Sequence, residues 1–206
     1  SYGINCVRLI FNWSQLEPTR GQYNQVYIEK LKSFIETAAK YNIYILLDMH
    51  QDAFSKYIFS RAYENCSNPL NGWDGAPEWA VFIDDQSTCM SSVGGVGGRE
   101  SSRAVVYAWQ NFWDNKNGIQ DACIQAWKAL VKETANYNNV VGYDLLNEPS
   151  LGYEPINIGA DKLSKFYRKS INAIRLAEQD VNANRHIMFF EMSVTWDGQG
   201  IPFIPN

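Results

Sequence analysis

The sequence predicts an α/β protein, and within that class part of a (β/α)8 barrel. Three observations carry this expectation. Strand-like apolar runs alternate with helical patterns, polar residues stand at the carboxyl ends of four of those runs, and the glycine motifs that cradle phosphate in open doubly wound sheets are missing. Alternation of this kind implies parallel strands joined by crossover helices. Chemistry at the ends of several strands is what a barrel gathers at one mouth.

The first apolar run, Ile4–Phe11, is interrupted by Arg8 and leads to Asn12; Glu17 to Asn24 is then dense in turn residues, so a strand followed by a loop is expected. From Asn24, whose side chain suits a helix cap, Tyr27, Leu31, Phe34, Ile35 and Ala38 keep helical spacing as far as Tyr41-Asn42. The run Ile43–Leu47 is the second strand, with Asp48, His50 and Asp52 beyond it. Residues 51 to about 100 lose all period, and Asn68-Pro69, Asn71-Gly72, Asp74-Gly75, Ala76-Pro77 and Gly94–Gly98 predict a long loop with short helical pieces near Ala53–Phe59 and Pro77–Ile83. A loop of this length inside a compact domain is usually functional.

Helical spacing returns at Val105, Ala108, Trp109 and Phe112, and again at Ile124, Trp127, Val131 and Ala135, giving two helices or one broken near Asn117-Gly118. Val140–Leu146 is the third strand, Asp161–Ala177 an amphipathic helix and Ile187–Phe190 the fourth strand, with Glu191 at its end. Trp109, Trp113 and Trp127 fall on apolar helix faces and are expected in the core. Trp73, Trp79 and Trp196 are the tryptophans placed for ligand contact.

With 18 Lys+Arg against 22 Asp+Glu and no basic run, nothing attracts a phosphate backbone, and nucleic acid is excluded as a partner. The longest nearly apolar runs fall far short of the roughly 20 residues of a spanning helix. Cys6, Cys66, Cys89 and Cys123 lack metal-ligand spacing, and His50 and His186 are the sole histidines, so no metal is expected. Cys66 and Cys89 share the long loop, where a disulfide would suit a secreted protein, while Cys6 and Cys123 sit in apolar patterns; four free buried thiols is the alternative. Of two glycosylation triplets, only Asn65-Cys66-Ser67 suits the surface, Asn12 standing at a strand end. The chain opens inside a strand approach and stops at Ile-Pro-Phe-Ile-Pro-Asn, so residues 1–206 are expected to form a single partial domain truncated at both ends.

The sharpest local signal is Asp144-Leu145-Leu146-Asn147-Glu148-Pro149, where an acid follows an apolar strand and a proline ends it. Pro149 biases Glu148 to extended geometry, aiming its carboxyl into the mouth of the fold. Burial and a second carboxylate would raise its pKa for work as a general acid. Together with Asn5-Cys6-Val7-Arg8-Leu9, Trp13, Glu17-Pro18 and Leu47-Asp48-Met49-His50, this ending resembles glycoside hydrolase family 5, matching the order and spacing of its second, third and fourth strands. The fuller string Leu46 to Ser55, with Gly75-Ala76-Pro77-Glu78-Trp79-Ala80 after it, is most similar to the endoglycoceramidases and their glycosylceramidase relatives.

The resemblance implies a retaining β-glycosidase that releases sugar from the ceramide of a glycosphingolipid. Glu148 would be the acid/base, Asn147 would bind the sugar 2-hydroxyl, Arg8 would orient the nucleophilic carboxylate, and His50 and Asp52 would grip the adjacent hydroxyls. Glu191, ending the fourth strand, is placed as a wall or hydroxyl-binding residue, with the role of substitute nucleophile as its lesser alternative, and Trp196, just past that strand, is placed for substrate contact. A retaining mechanism needs a second carboxylate about 5 to 5.5 Å from the first. The family carries it on the seventh strand, whereas the four strands here resemble the second to the fifth, so the nucleophile is expected outside this chain. No cofactor is expected, a monomer is expected, and a disulfide in the long loop would point to a secreted or lumenal location. Phe54, Tyr57, Ile58 and Phe59 form an apolar loop cluster placed either to admit a lipid chain or touch a membrane surface, or to pack on the barrel itself. Two alternatives stay open: another family 5 β-glycosidase, cellulase-like or acting on steryl glucosides, and a non-catalytic carbohydrate- or lipid-binding remnant.

Overall fold

The structure, a computed structural model, describes residues 3–90 and 96–193. Strands β1 (Cys6–Phe11), β2 (Tyr44–Met49), β3 (Val140–Asp144) and β4 (Ile187–Phe189) form one parallel sheet in the order β1-β2-β3-β4. That order decides the architecture. A doubly wound sheet reverses its growth at a switch point, whereas a barrel wall adds each strand beside the last.

Helices α1 (Trp13–Leu16), α2 (Gln25–Lys40), α3 (Val96–Glu100), α4 (Arg103–Trp113), α5 (Ile119–Thr134) and α6 (Ile156–Asp180) fill the connections, with short 3-10 turns at Ala62–Glu64, Glu78–Ala80 and Lys116–Gly118. The expected cap on α2 is formed, Asn24 Oδ1 accepting from the Tyr27 amide at 3.1 Å. The crossover helices pack in sequence on one face, α2 on α5 and α5 on α6. Leu9, Leu47 and Tyr143 share one register row pointing at them, and Trp127 of α5 meets Tyr143 at 5.7 Å and Phe11 at 5.0 Å between ring centroids. Because side chains alternate along a strand, Arg8, Ile10, Asp48, Gly142 and Asp144 take the opposite face, which carries the polar chemistry.

The three helix tryptophans are in the core as expected. Trp109 and Trp113 stack at 5.4 Å, Trp113 Nε1 donates to the Ser150 carbonyl at 2.8 Å, and Trp127 Nε1 donates to the Leu145 carbonyl at 3.0 Å. A buried indole N–H usually finds such an acceptor, and Trp109, held by stacking, is the one of the three without one among the described residues. Trp79 also packs, edge-on to Trp13 at 5.3 Å with Nε1 on the Glu17 carbonyl, so it serves the loop rather than lying open.

Four local expectations change. No helix forms over Ala53–Phe59, because Ala53 and Phe54 adopt φ of 53° and 67° and side chains take their amides, Glu100 that of Ala53 and Gln51 that of Phe54. The predicted apolar cluster divides, Phe54 and Ile58 being buried while Tyr57 and Phe59 face outward. The helix expected from Asp161 starts a full turn earlier, at Ile156, just after Pro155. Cys6 is exposed on the edge strand rather than buried, whereas Cys123 is buried and Cys66 is bonded to Cys89 with a Cα separation of 5.2 Å.

The two halves of the long-loop signature form one unit. Ala76 N donates to Phe54 O at 2.8 Å, and Ser55 Oγ to Ala76 O at 2.6 Å. Gly75 makes this possible: its φ is 114°, and a Cβ there would sit 2.2 Å from Phe54 O. The loop is thereby folded back over the end of β2.

Candidate active site

Arg8, midway along β1, is the hub of the polar face. Its Nε lies 2.9 Å from Asp144 Oδ2 and 3.3 Å from Asp48 Oδ2. Its Nη2 reaches Asp144 at 2.7 Å, Asn147 Oδ1 at 3.0 Å and Glu191 Oε1 at 2.5 Å. Register explains the gathering, since Asp48 and Asp144 are direct partners across β2 and β3, and Asn147 and Glu191 follow the ends of β3 and β4. Asp48, Asp144 and Glu191 thus surround one guanidinium.

One cation among three carboxylates leaves the cluster negative. Burial pushes the Asp144 carboxyl up to about 6, Arg8 opposing and the charges of Asp48 and Glu191 adding to the rise. His50 Nδ1 sits 2.8 Å from Asp48 Oδ2, and this bond holds the imidazole pKa above its ordinary value against the opposing effect of burial. The other ring nitrogen faces Asp52 Oδ2 at 3.6 Å and Asn147 Nδ2 at 3.4 Å. Either protonation state therefore finds a partner there.

Asn147 is buried, with Oδ1 on Arg8 and Nδ2 donating to the Gln51 carbonyl at 3.0 Å. Glu148 departs from the extended geometry expected before Pro149 and takes φ of 42°, in the left-handed region. Long-range bonds override the local bias. Gln51 Nε2 donates to the Asn147 and Glu148 carbonyls at 3.0 and 2.9 Å, and the Glu148 amide donates to Glu191 Oε2 at 2.8 Å. With its backbone clamped on both sides, Glu148 leaves its side chain exposed on the rim, not buried as expected. Glu191 is bonded through both carboxylate oxygens, and its main chain is held by the Tyr167 hydroxyl, which donates to Glu191 O at 2.8 Å.

These strand-end positions invite comparison with known proteins. The family model described as Cellulase (glycosyl hydrolase family 5) matches residues 1–200. The chain belongs to glycosyl hydrolase family 5. Within the family it is similar to the endoglycoceramidase of Cyanea nozakii, 31% identical over 223 residues that cover 95% of this chain and 41% of that protein. The solved endogalactoceramidase superposes with a TM-score of 0.90 at 39% identity, covering 99% of this chain and 44% of that one. Endo-glycoceramidase II from Rhodococcus sp., in its ganglioside GM3 complex, superposes with a TM-score of 0.81 at 26% identity, covering 97% of this chain and 44% of that one. The chain thus spans about two fifths of the length of the relatives it matches.

In this family 5 chain the structure brings together Arg8, His50, Asp52, Asn147, Glu148 and Glu191, whereas Trp196 lies outside the described residues. Four further residues join them. Asp144 shares strand parity with Gly142 and is an acid inside an apolar strand, which was the available signal. Gln51, between His50 and Asp52, brackets the Glu148 turn. Arg99 pairs with Asp52 at 3.0 Å, and Glu100 caps Ala53 at 2.8 Å. Those last two come from the aperiodic stretch, where spacing carries no signal.

Proposed function

We propose that this chain is one side of the barrel domain of a retaining β-glycosidase that hydrolyses the bond between the sugar and the ceramide of glycosphingolipids. The observation that carries the reading is Glu148, its backbone clamped by Gln51 and Glu191 and its side chain exposed on the rim, beside Asn147 and the Arg8 cluster. The choice of substrate follows from likeness to proteins named endoglycoceramidase and endogalactoceramidase.

In this scheme Glu148 gives its proton to the glycosidic oxygen as a carboxylate from a later strand of the same barrel attacks the anomeric carbon, and ceramide leaves as the alcohol. Glu148 then takes a proton from the water that releases the sugar. Arg8 fixes the approach of the attacking carboxylate, its planar fork suiting that task. Asn147, His50 and Asp52 hold sugar hydroxyls. Glu191, with both oxygens committed, serves as a wall of the site. The Cys66–Cys89 bond favours an oxidising, secreted or lumenal setting, and outward Tyr57 and Phe59 suit contact with a membrane surface.

The test is Glu148→Gln in the full-length protein. Activity on glycosphingolipid should collapse, with partial recovery on aryl glycosides or with added azide, because an activated leaving group needs no proton and azide needs no base. Unchanged turnover sinks the role of Glu148. Hydrolysis of soluble cello-oligosaccharides with none of glycosphingolipids would instead favour the cellulase-like alternative.

A further inference from the structure

Beyond the strand ends, the loop after β2 makes its own approach to the site. Arg99 in α3 places Nη2 3.0 Å from Asp52 Oδ1 and 3.4 Å from Glu100 Oε1, and its guanidinium lies 5.3 Å from the centre of the Trp73 ring. Trp73 is 65% exposed, an unusual condition for an indole, while the Arg99 side chain is only 13% exposed. Asp52 meanwhile faces His50 through its second oxygen. An unbroken polar path therefore runs from Arg8 through Asp48, His50 and Asp52 to Arg99 and the face of Trp73.

We propose that Arg99 is a positioning residue for sugar binding: it pins the Asp52 carboxylate at one end and seats the Trp73 indole at the other, so that the loop supplies the outer wall of the site. An ionised carboxylate offers about four lone-pair sites, so Asp52 can hold Arg99 and His50 and still accept two hydroxyl protons from a sugar. A guanidinium stacked on one side of an indole restrains the ring and leaves its other face free for the apolar face of a pyranose or the start of a lipid. Glu100, the next residue, ties the same turn down by accepting the Ala53 amide at 2.8 Å, so the strap is anchored at Asp52 and at its neighbour Ala53.

The inference rests on the glycosidase reading only in taking a β-glycoside as the ligand. Its test is steady-state kinetics on 4-nitrophenyl β-lactoside with the full-length protein, together with equilibrium binding of lactose. Arg99→Met should raise KM and the lactose Kd about tenfold with kcat within about threefold, the pattern of lost uniform binding. Arg99→Lys, which keeps the charge that faces Asp52 but not the planar stack on Trp73, should recover only part of the loss, and Trp73→Ala should raise KM with Asp52 intact. Adding Arg99→Met to Asp52→Asn should cost clearly less than the roughly tenfold it costs in the parent, because the Asp52 end of its role is already gone and only the Trp73 end is left to lose. A KM unchanged in Arg99→Met, equal defects in the Met and Lys variants, or fully multiplicative losses in the double variant would each overturn the proposal. Lactose binding without hydrolysis would count against the glycosidase reading alone, since the Kd comparison still decides the role of Arg99.

Discussion

His50 Nδ1 lies 2.8 Å from Oδ2 of Asp48, a carboxylate with no exposed surface. The bond favours imidazolium, and the sign of its effect on stability follows. A histidine with a raised folded pKa contributes stability that is fully present below about pH 6.5 and is lost as pH rises through the higher folded value. Asp48→Asn should lower the His50 pKa, read by imidazole NMR, and flatten the urea midpoint between pH 6 and 8. A titration unmoved by that substitution would falsify the pairing.

Asp144 adds to the same trend. With its carboxyl pushed to about 6 by burial, its contribution to stability is present below about pH 4 and lost as pH rises through 6. Carboxyl-carbon NMR should find it titrating well above the surface carboxylates, and Arg8→Met should drive it higher still, because Arg8 is what holds it down. An Asp144 resonance titrating near 4 would count against the cluster as described.

The Cys66–Cys89 bond closes a 23-residue separation within the loop. Chain entropy assigns such a closure about 3 kcal/mol. The cost of Cys66→Ser with Cys89→Ser should fall on the loop, which keeps the bonds from Thr88 to Glu64 and from the Met90 amide to the Asn68 carbonyl as its neighbouring ties, more than on the sheet. Limited proteolysis should therefore cut faster between residues 59 and 90, with cleavage elsewhere little changed. Equal acceleration throughout would mean that the loop and sheet unfold together.

Trp127 joins three elements by packing against Phe11 and Tyr143 and donating to Leu145 O. Trp127→Phe keeps most of the packing but strands a buried carbonyl, at a cost of about 1–3 kcal/mol; Trp127→Ala should cost about 3–5 kcal/mol. Urea midpoints at matched m-values give both numbers.

Glu148 sits at φ 42°, where a side chain costs about 1–2 kcal/mol relative to glycine. Glu148→Gly should accordingly melt at a temperature equal to or above the parent while abolishing turnover. A clear fall in melting temperature would show that the glutamate stabilises its own turn.

Much of this was legible in the chain. Four apolar runs, the Asn24 cap and the helix-face tryptophans each depend on local spacing, and each is where the sequence placed it. The backbone of Glu148 was not legible, because the pre-proline preference is local and the bonds from Gln51 and Glu191 come from 97 and 43 residues away. Arg99 and Glu100 were hidden for a related reason: an aperiodic loop returns to a strand end by tertiary bonds that leave no pattern in the sequence.

The left-handed backbone at Glu148 also bears on what the chain has been selected to do. A protein relieved of the need for a carboxylate there could drift to glycine or asparagine and become more stable at once. On the glycosidase reading, Glu148 is therefore a point where the fold gives up main-chain stability to hold a proton donor, and a protein that only binds would gain by losing it.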